Sequence, residues 1–265
     1  MLIDIGVNLS HKSFANDTRE VLRSAHENGI RKLIITGTSV CESNRMIALL
    51  NQYSTEFPEM LYGTVGIHPH AASEFSNDST ADLRHLLTQP GVVAIGETGL
   101  DFHRNLAPKE MQVKCFEAHL SLASEIELPL FMHEREASKL QIDILKNRRK
   151  DFSKGVIHCF TGDRQTLYQY LDMDLHIGIT GWICDPRRGM PLQDLVADIP
   201  LDRLMIETDS PYLLPRNLAF PPKDGRNEPS FLPWVVSGIA ACREESKEEI
   251  AEQTGKTAIK FFGLE

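Results

Sequence analysis

Three features that the sequence lacks narrow the class of protein. Its 265 residues contain no apolar run that approaches the roughly 20 residues of a membrane-spanning helix. Residues 1–4 have neither the basic segment nor the small-residue cleavage site of a signal peptide, and they are predicted to begin a strand. The five cysteines are widely spaced and form no CxxC pair, which argues against a disulfide framework or a zinc–thiolate site. These absences favour a protein of the reducing cytoplasm with no membrane partner.

The chain also lacks an excess of positive charge. Its formal net charge is −9, whereas proteins that bind nucleic acid through charge alone present a basic face. A nuclease is not excluded, because acidic metal sites lower the net charge and a bound divalent cation attracts phosphate locally. No GxGxxG follows the first predicted strand, so a dinucleotide-binding fold is disfavoured.

What the sequence does contain is a regular alternation of strand-like and helix-like segments. Strands are predicted at 2–9, 32–38, 61–68, 92–100, 129–135, 155–160, 175–181 and 203–209. Helices are predicted at 18–28, 43–53, 81–87, 109–127, 137–150, 164–171 and 190–198, with two closing helices at 233–243 and 247–262. Buried parallel strands read as continuous apolar runs, and their alternation with helices indicates an α/β fold. We therefore predict one (β/α)8 TIM-type barrel domain over residues 1–265.

Four apolar runs end in side chains that can bind a metal ion. The runs at 92–96, 130–132, 156–157 and 204–206 are followed by Glu97, His133, His158 and Glu207-Thr208-Asp209. In a barrel the C-terminal ends of the strands meet at one mouth, so these side chains are expected to converge. Imidazole nitrogens and carboxylate oxygens bind divalent cations. We predict Glu97, His133, His158 and Asp209 as metal ligands, with Asp209 also a candidate general base and Glu97 a candidate bridge between two metals. A histidine packed in the core remains the alternative for either imidazole.

The remaining candidates lie at the ends of other runs and in the predicted mouth loops. His68 is predicted to contact a metal-bound water or a phosphate oxygen, with a structural role equally open, and His70 is expected on the loop surface. Arg104, Arg135 and Arg226 are predicted to bind substrate, because bidentate arginine contacts suit phosphate. Phe102, Trp182 and Tyr212 offer faces on which bases of a single strand can stack. The irregular segment 211–233 is expected to be functional because of its length.

At these residues the sequence resembles the TatD family of metal-dependent deoxyribonucleases, within the amidohydrolase-like barrel superfamily. The similarity covers essentially the whole chain. It rests on VGIHPH at 65–70, IGETGLD at 95–101, FMHER at 131–135, HCFTG at 158–162, ETDSPY at 207–212 and RNEP at 226–229. Any one of these motifs is weak alone, but their combination is highly specific.

The resemblance implies a cytoplasmic 3′→5′ exonuclease that acts on single-stranded DNA, with RNA as a further substrate and processing of damaged DNA as a suggested role. It implies a divalent cation, with Mg²⁺ expected and Mn²⁺ or Zn²⁺ as alternatives, held at the positions of Glu97, His133 and His158. Asp209 would be ligand or base, and a monomer is expected. Many relatives have His-x-His on the first strand, where this chain has Gly6 and Asn8. We therefore expect one firm metal site and a weak, substrate-assisted second one.

Two other functions remain open from the residues. A small-molecule metallohydrolase of the same barrel class would cleave an amide, a lactone or a phosphate ester with the same ligands. A non-catalytic binding protein would have lost its metal, which only Gly6 and Asn8 suggest. The arginines and aromatic residues of the predicted mouth favour a nucleic acid.

Overall fold

The structure, a computed structural model, describes residues 1–264, apart from the side chain of Asn77. Within this range eight parallel strands pair in the order β1 to β8, each with its neighbour in sequence. They are β1 (Leu2–Val7), β2 (Ile30–Ile35), β3 (Leu61–Val65), β4 (Val92–Asp101), β5 (Leu130–Arg135), β6 (Gly155–Ile157), β7 (His176–Ile179) and β8 (Leu204–Ile206). The predicted TIM-type barrel is confirmed, whereas the prediction of a single domain over residues 1–265 stays a prediction.

Helices connect the strands on the outside. They are α1 (Thr18–Glu27), α2 (Val40–Tyr53), α3 (Asn77–Leu86), α4 (Lys109–Glu125), α5 (Ser138–Asn147), α6 (Arg164–Asp172), α7 (Met190–Gln193), α8 (Leu232–Ala240) and α9 (Lys247–Phe262). Two begin earlier than predicted because a serine caps them: Oγ of Ser39 accepts from the amide of Glu42, and Oγ of Ser76 accepts from the amide of Ser79. None of the helices in the described range is long and apolar enough to span a bilayer.

Several strands end earlier than predicted. β6 ends at Ile157 and β8 ends at Ile206, so His158 and Asp209 lie in the segments that follow the strands. The backbone leaves the sheet there: Cys159 has φ 47° and Asp209 has φ 54°, both in the left-handed region. The candidate ligands are therefore presented by sharp turns at the barrel mouth.

The barrel interior is packed at its opposite end by the C-terminal helix. Inward-facing side chains near the strand starts, such as Ile3, Val93 and Phe131, form a buried cluster with Phe261 and Phe262. α9 packs against β1 and β8, the first and last strands. α9 therefore covers the bottom of the barrel, which leaves the mouth at the other end open.

The seam between β8 and β1 closes by a few contacts instead of a regular ladder. The amide of Asp209 donates to the carbonyl of Gly6 (2.9 Å), and Val7 forms an isolated bridge with Ser210. Asp4 is fully buried in this seam and accepts hydrogen bonds from the amide (2.9 Å) and the hydroxyl (2.6 Å) of Thr208. A side chain thus supplies part of the pairing that the backbones of the two strands do not make.

The buried Asp4 carboxyl makes stability depend on pH. Burial raises its pKa from 3.8 to about 8, although the hydrogen bonds from Thr208 oppose the rise. The folded chain then holds a proton that the unfolded chain has lost, so the contribution of Asp4 is complete below pH 4 and falls by about 1.4 kcal/mol per pH unit between about pH 4 and 8. We expect Asp4→Asn to remove this slope, measured by urea denaturation at several pH values. Identical slopes in wild type and variant would contradict the prediction.

Candidate active site

Glu97 lies at the centre of the barrel mouth, on β4, and is 5% exposed. Gly96 and Gly99 flank it with φ of 146° and 138°, which side chains rarely adopt. A Cβ on Gly96 would lie 2.1 Å from the carbonyl oxygen of Phe131, and one on Gly99 would lie 2.0 Å from that of His133. The two glycines therefore let β4 approach β5 closely where Glu97 meets the imidazole from that strand.

Three imidazoles surround one oxygen of Glu97. Oε1 lies 3.2 Å from Nε2 of His68, 3.0 Å from Nδ1 of His133 and 2.7 Å from Nε2 of His158. His68 follows β3, His133 lies in β5 and His158 follows β6. The barrel therefore brings to Glu97 histidines that lie up to 61 residues away in the sequence. The predicted convergence of Glu97, His133 and His158 is confirmed in this geometry, and His68 joins them.

A second layer of carboxylates holds two of the imidazoles from behind. Oδ2 of Asp101 lies 3.2 Å from Nε2 of His133, and Oε2 of Glu207 lies 3.3 Å from Nδ1 of His158. Asp101 also contacts Nε2 of His70 at 2.7 Å, so His70, expected on the loop surface, is half-buried and contacts this carboxylate. Such outer carboxylates fix the orientation of ligating histidines.

Burial and opposite charges set the protonation of the cluster. Burial alone would raise the pKa of Glu97, but His68 and His158, with the hydrogen bond from His133, hold it well below its ordinary value. Burial lowers the pKa of His68 to about 4, so this imidazole is neutral at pH 7. Burial would lower the pKa of His158 too, but the charges of Glu97 and Glu207 raise it well above the ordinary value. The site thus keeps an ionised carboxylate beside a neutral imidazole.

The donor set fits a divalent cation. One donor atom each from His68, Glu97 and His133 lies within 4.8 Å of the other two, and Nε2 of His158 approaches the same carboxylate oxygen. Imidazoles with a carboxylate suit Zn²⁺ or Mn²⁺, whereas Mg²⁺ prefers oxygen ligands. The residues therefore fit a metal centre, and the identity of the cation stays a prediction.

Asp209 lies beside this group. Its Oδ1 accepts a hydrogen bond from Nδ2 of Asn8 at 3.0 Å. Burial raises the pKa of Asp209 to about 7, with the charges of Glu97 and Glu207 adding to the rise. The Asn8 amide thus holds a candidate ligand in place, and the role of Asp209 as ligand or general base stays a prediction.

Gly6 leaves the space that Glu207 fills. A Cβ on Gly6 would lie 2.3 Å from Oε2 of Glu207. That carboxylate is fully buried and its Oε1 accepts from the amide of Cys159 at 2.5 Å. The first strand therefore contributes room for a carboxylate from the last strand, where many relatives are expected to place a histidine.

The three predicted substrate arginines differ in their surroundings. Arg226 donates to both carboxylate oxygens of Asp17 (3.1 and 2.6 Å) and to Glu228 (2.6 Å). Arg135 donates to the hydroxyl of Thr161 (3.1 Å). Within residues 1–264, neither Arg135 nor Arg104 has a carboxylate within ion-pair distance. Substrate binding by these arginines stays a prediction, and the ion pairs of Arg226 favour a structural role for it.

Sequence reasoning missed two buried residues that position the site. Nε2 of His119, on α4, accepts from the amide of Ile67 (3.0 Å), next to His68. Asn227 donates to the carbonyls of Thr208 (2.9 Å) and Tyr212 (2.6 Å), on either side of Asp209. Asn227 lies in the RNEP motif, which was a usable signal, whereas nothing in the sequence around His119 marks it.

The close packing of Gly6 on Glu207 predicts the effect of one added methyl group. Gly6→Ala should displace the Glu207 carboxylate from His158, lower the free energy of unfolding by about 1–3 kcal/mol and weaken Mn²⁺ binding by about 10-fold or more. Calorimetric titration with Mn²⁺ and urea denaturation measure the two effects. A variant that binds Mn²⁺ as tightly as wild type would contradict this role of Glu207.

Comparisons with known proteins show which family the chain resembles. A family model described as TatD related DNase matches residues 3–263. Relatives named 3′-5′ ssDNA/RNA exonuclease TatD, from Erwinia amylovora and Edwardsiella piscicida, are 48% and 44% identical over 263 residues, covering 99% of this chain and 100% of each relative. The crystal structure of a TatD family hydrolase from Entamoeba histolytica has a TM-score of 0.90 at 27% identity, covering 100% of this chain and 98% of that one. That of a TatD homologue from Escherichia coli K12 has a TM-score of 0.88 at 27% identity, covering 99% and 98%. The chain therefore belongs to the TatD family of deoxyribonucleases.

Proposed function

We propose that this protein is a metal-dependent 3′→5′ exonuclease that hydrolyses single-stranded DNA and RNA. The names of relatives at 42–48% identity support the substrate class and the direction. The observation that carries the proposal is the position of Arg135, two residues beyond His133 on β5 and without a carboxylate partner among residues 1–264. A guanidinium beside the candidate metal centre is suited to a phosphodiester.

The residues divide the chemistry among them. Glu97, His133 and His158, with His68, would hold the divalent cation, which when bound activates water and neutralises charge on phosphate. Asp209, held by Asn8, accepts a proton from the attacking water. Arg135 and Arg104 bind the phosphates that flank the scissile bond. Mg²⁺ as the cation, a role in repair, a cytoplasmic location and a monomeric state stay predictions.

Removal of one imidazole tests the metal centre. We expect His133→Ala to lower the rate of hydrolysis of 5′-labelled single-stranded DNA by at least about 100-fold, because the variant loses a ligand and the contact with Asp101. Reactions with Mg²⁺, Mn²⁺ and EDTA, followed on a sequencing gel, measure the rate and show trimming from the 3′ end as a descending ladder. His26→Ala, which removes an exposed imidazole on α1, is the matched control and should leave the rate unchanged.

Two results would overturn the proposal. Full activity of His133→Ala would show that His133 is not required at the proposed metal centre. An intact substrate with every cation, together with turnover of a lactone or a nucleotide monoester, would instead favour the small-molecule hydrolase.

Ion pairing predicts different effects for two arginines. Arg135→Gln should raise KM for single-stranded DNA by about 10-fold without lowering Tm, because its guanidinium has no carboxylate to leave behind. Arg226→Gln should lower the free energy of unfolding by about 2 kcal/mol, because Asp17 and Glu228 lose their partner. Steady-state kinetics and thermal unfolding of both variants measure these effects. A lower Tm for Arg135→Gln with an unchanged KM would show that Arg135 stabilises the fold and does not bind substrate.

A further inference from the structure

A cavity of about 540 Å³ opens at the barrel mouth between two segments that follow neighbouring strands. One wall is the 3₁₀ turn Gly181–Cys184 after β7, and the other is part of the long segment after β8. Apolar side chains such as Leu213, Leu218 and Pro221 line it together with Trp182 and Arg188. Its volume lies within the range of about 300–1,000 Å³ that small-molecule sites occupy.

An ion pair joins the two walls. Oδ2 of Asp185, after the 3₁₀ turn, lies 2.8 Å from Nε of Arg216 in the opposite segment. Oδ1 of Asp185 also accepts a hydrogen bond from the amide of Arg188 (2.9 Å), which positions the backbone of Arg188. In the structure, Asp185 thus joins the two walls of the cavity.

Two guanidinium groups lie near the ring of Trp182. The Cζ atoms of Arg135 and Arg188 lie 5.5 Å and 6.0 Å from the centre of its ring. Neither arginine forms an ion pair with a carboxylate in the part of the chain that the structure describes, whereas Arg216 does. An indole face with available cations beside it matches a nucleotide, whose base stacks on the ring while its phosphate accepts from guanidinium.

Arg135 lies between the candidate active site and the cavity, because it follows His133 on β5 and its guanidinium lies 5.5 Å from the ring of Trp182, which lines the cavity. Arg135 is two residues after His133 on β5, and its guanidinium donates a hydrogen bond to the hydroxyl of Thr161. A strand whose scissile phosphate lies at Glu97 would therefore pass Arg135 before it reaches Trp182. The occupant is thus a nucleotide next to the one being cleaved.

We propose that this cavity is a nucleotide-binding subsite in which a base stacks on Trp182 and the adjoining phosphates are bound by Arg135 and Arg188. The proposal rests on the proposed function, which supplies the substrate class, and adds the place where the strand is gripped. The base is held by stacking, which every nucleobase offers, so the subsite accepts any base sequence. The apolar wall of Leu213 and Leu218 excludes water from the stacked base.

Fluorescence tests the stacking directly, because the chain has two tryptophans. A thymidylate tetranucleotide and an abasic tetramer of the same backbone are titrated into the protein in EDTA, so that no hydrolysis occurs. We expect the thymidylate to quench the emission and the abasic tetramer to leave it unchanged. Trp182→Phe should abolish the quench, because the remaining Trp234, on α8, is absent from the cavity lining within the described chain. Equal quenching by both tetramers, or a quench that persists in Trp182→Phe, would overturn the proposal.

Kinetics with matched charge variants test the arginine. Arg188→Gln should raise KM for single-stranded DNA by about 5–10-fold with kcat unchanged within about twofold. Arg187→Gln removes the same charge from the neighbouring residue, which is absent from the cavity lining within the described chain, and should leave KM unchanged within about twofold. Equal increases in KM for both variants would mean that only net charge matters, which would overturn the subsite.

The experiments can refute the exonuclease activity and the nucleotide subsite independently of each other. Base-dependent quenching at Trp182 without hydrolysis under any cation would retain the subsite and remove the exonuclease activity. Hydrolysis of single-stranded DNA without such quenching would retain the activity and remove the subsite.

Discussion

The buried charge of Glu97 is the constraint on which the candidate site depends. A carboxylate that is 5% exposed is stable as an anion only if opposite charges or hydrogen-bond donors replace the water it has lost. Three imidazoles supply them, from segments that follow or lie in β3, β5 and β6. These strands and β4 are consecutive parallel neighbours whose C-terminal ends lie at the barrel mouth, so the site depends on the strand order of the fold.

The seam between β8 and β1 shows how the same closure shapes the chemistry. Where the two backbones form only a few contacts, Asp4 joins Thr208, and Asn8 holds Asp209. Gly6 leaves room for Glu207, which in turn orients His158. The first strand therefore supplies space and an acceptor, Asp4, and the residue that follows it, Asn8, donates to Asp209. Glu207 and Asp209 lie in the segment that follows β8. The candidate ligands Glu97, His133 and His158 lie in β4, in β5 and directly after β6.

The hydropathy pattern of the sequence predicted the strands and the candidate ligands that directly follow apolar runs. Apolar runs that end in Glu97, His133 or His158 indicated both the strands and the candidate ligands, because the side chains change from apolar to polar at one residue. The strand ends were overestimated near Cys159 and Asp209, because a left-handed turn leaves no signal in hydropathy. His119 was missed because its partner, Ile67, lies 52 residues away. Asp101 could have been found, since period two places it on the face of Glu97.

Pairing, more than net charge, decides how an acidic protein can bind a polyanion. The chain has a net charge of −9, and several arginines of the mouth segments are neutralised by carboxylates, as Arg226 is by Asp17 and Arg216 by Asp185. Arg135 and Arg188 remain beside Trp182 without such partners in the described range. Since an exposed charge acts over about one Debye length, near 8–10 Å in physiological salt, these local cations govern contact with phosphate while the distant acidic surface is screened. The proposed contact with a single strand therefore depends on these two guanidinium groups beside the indole and not on the net charge of the chain.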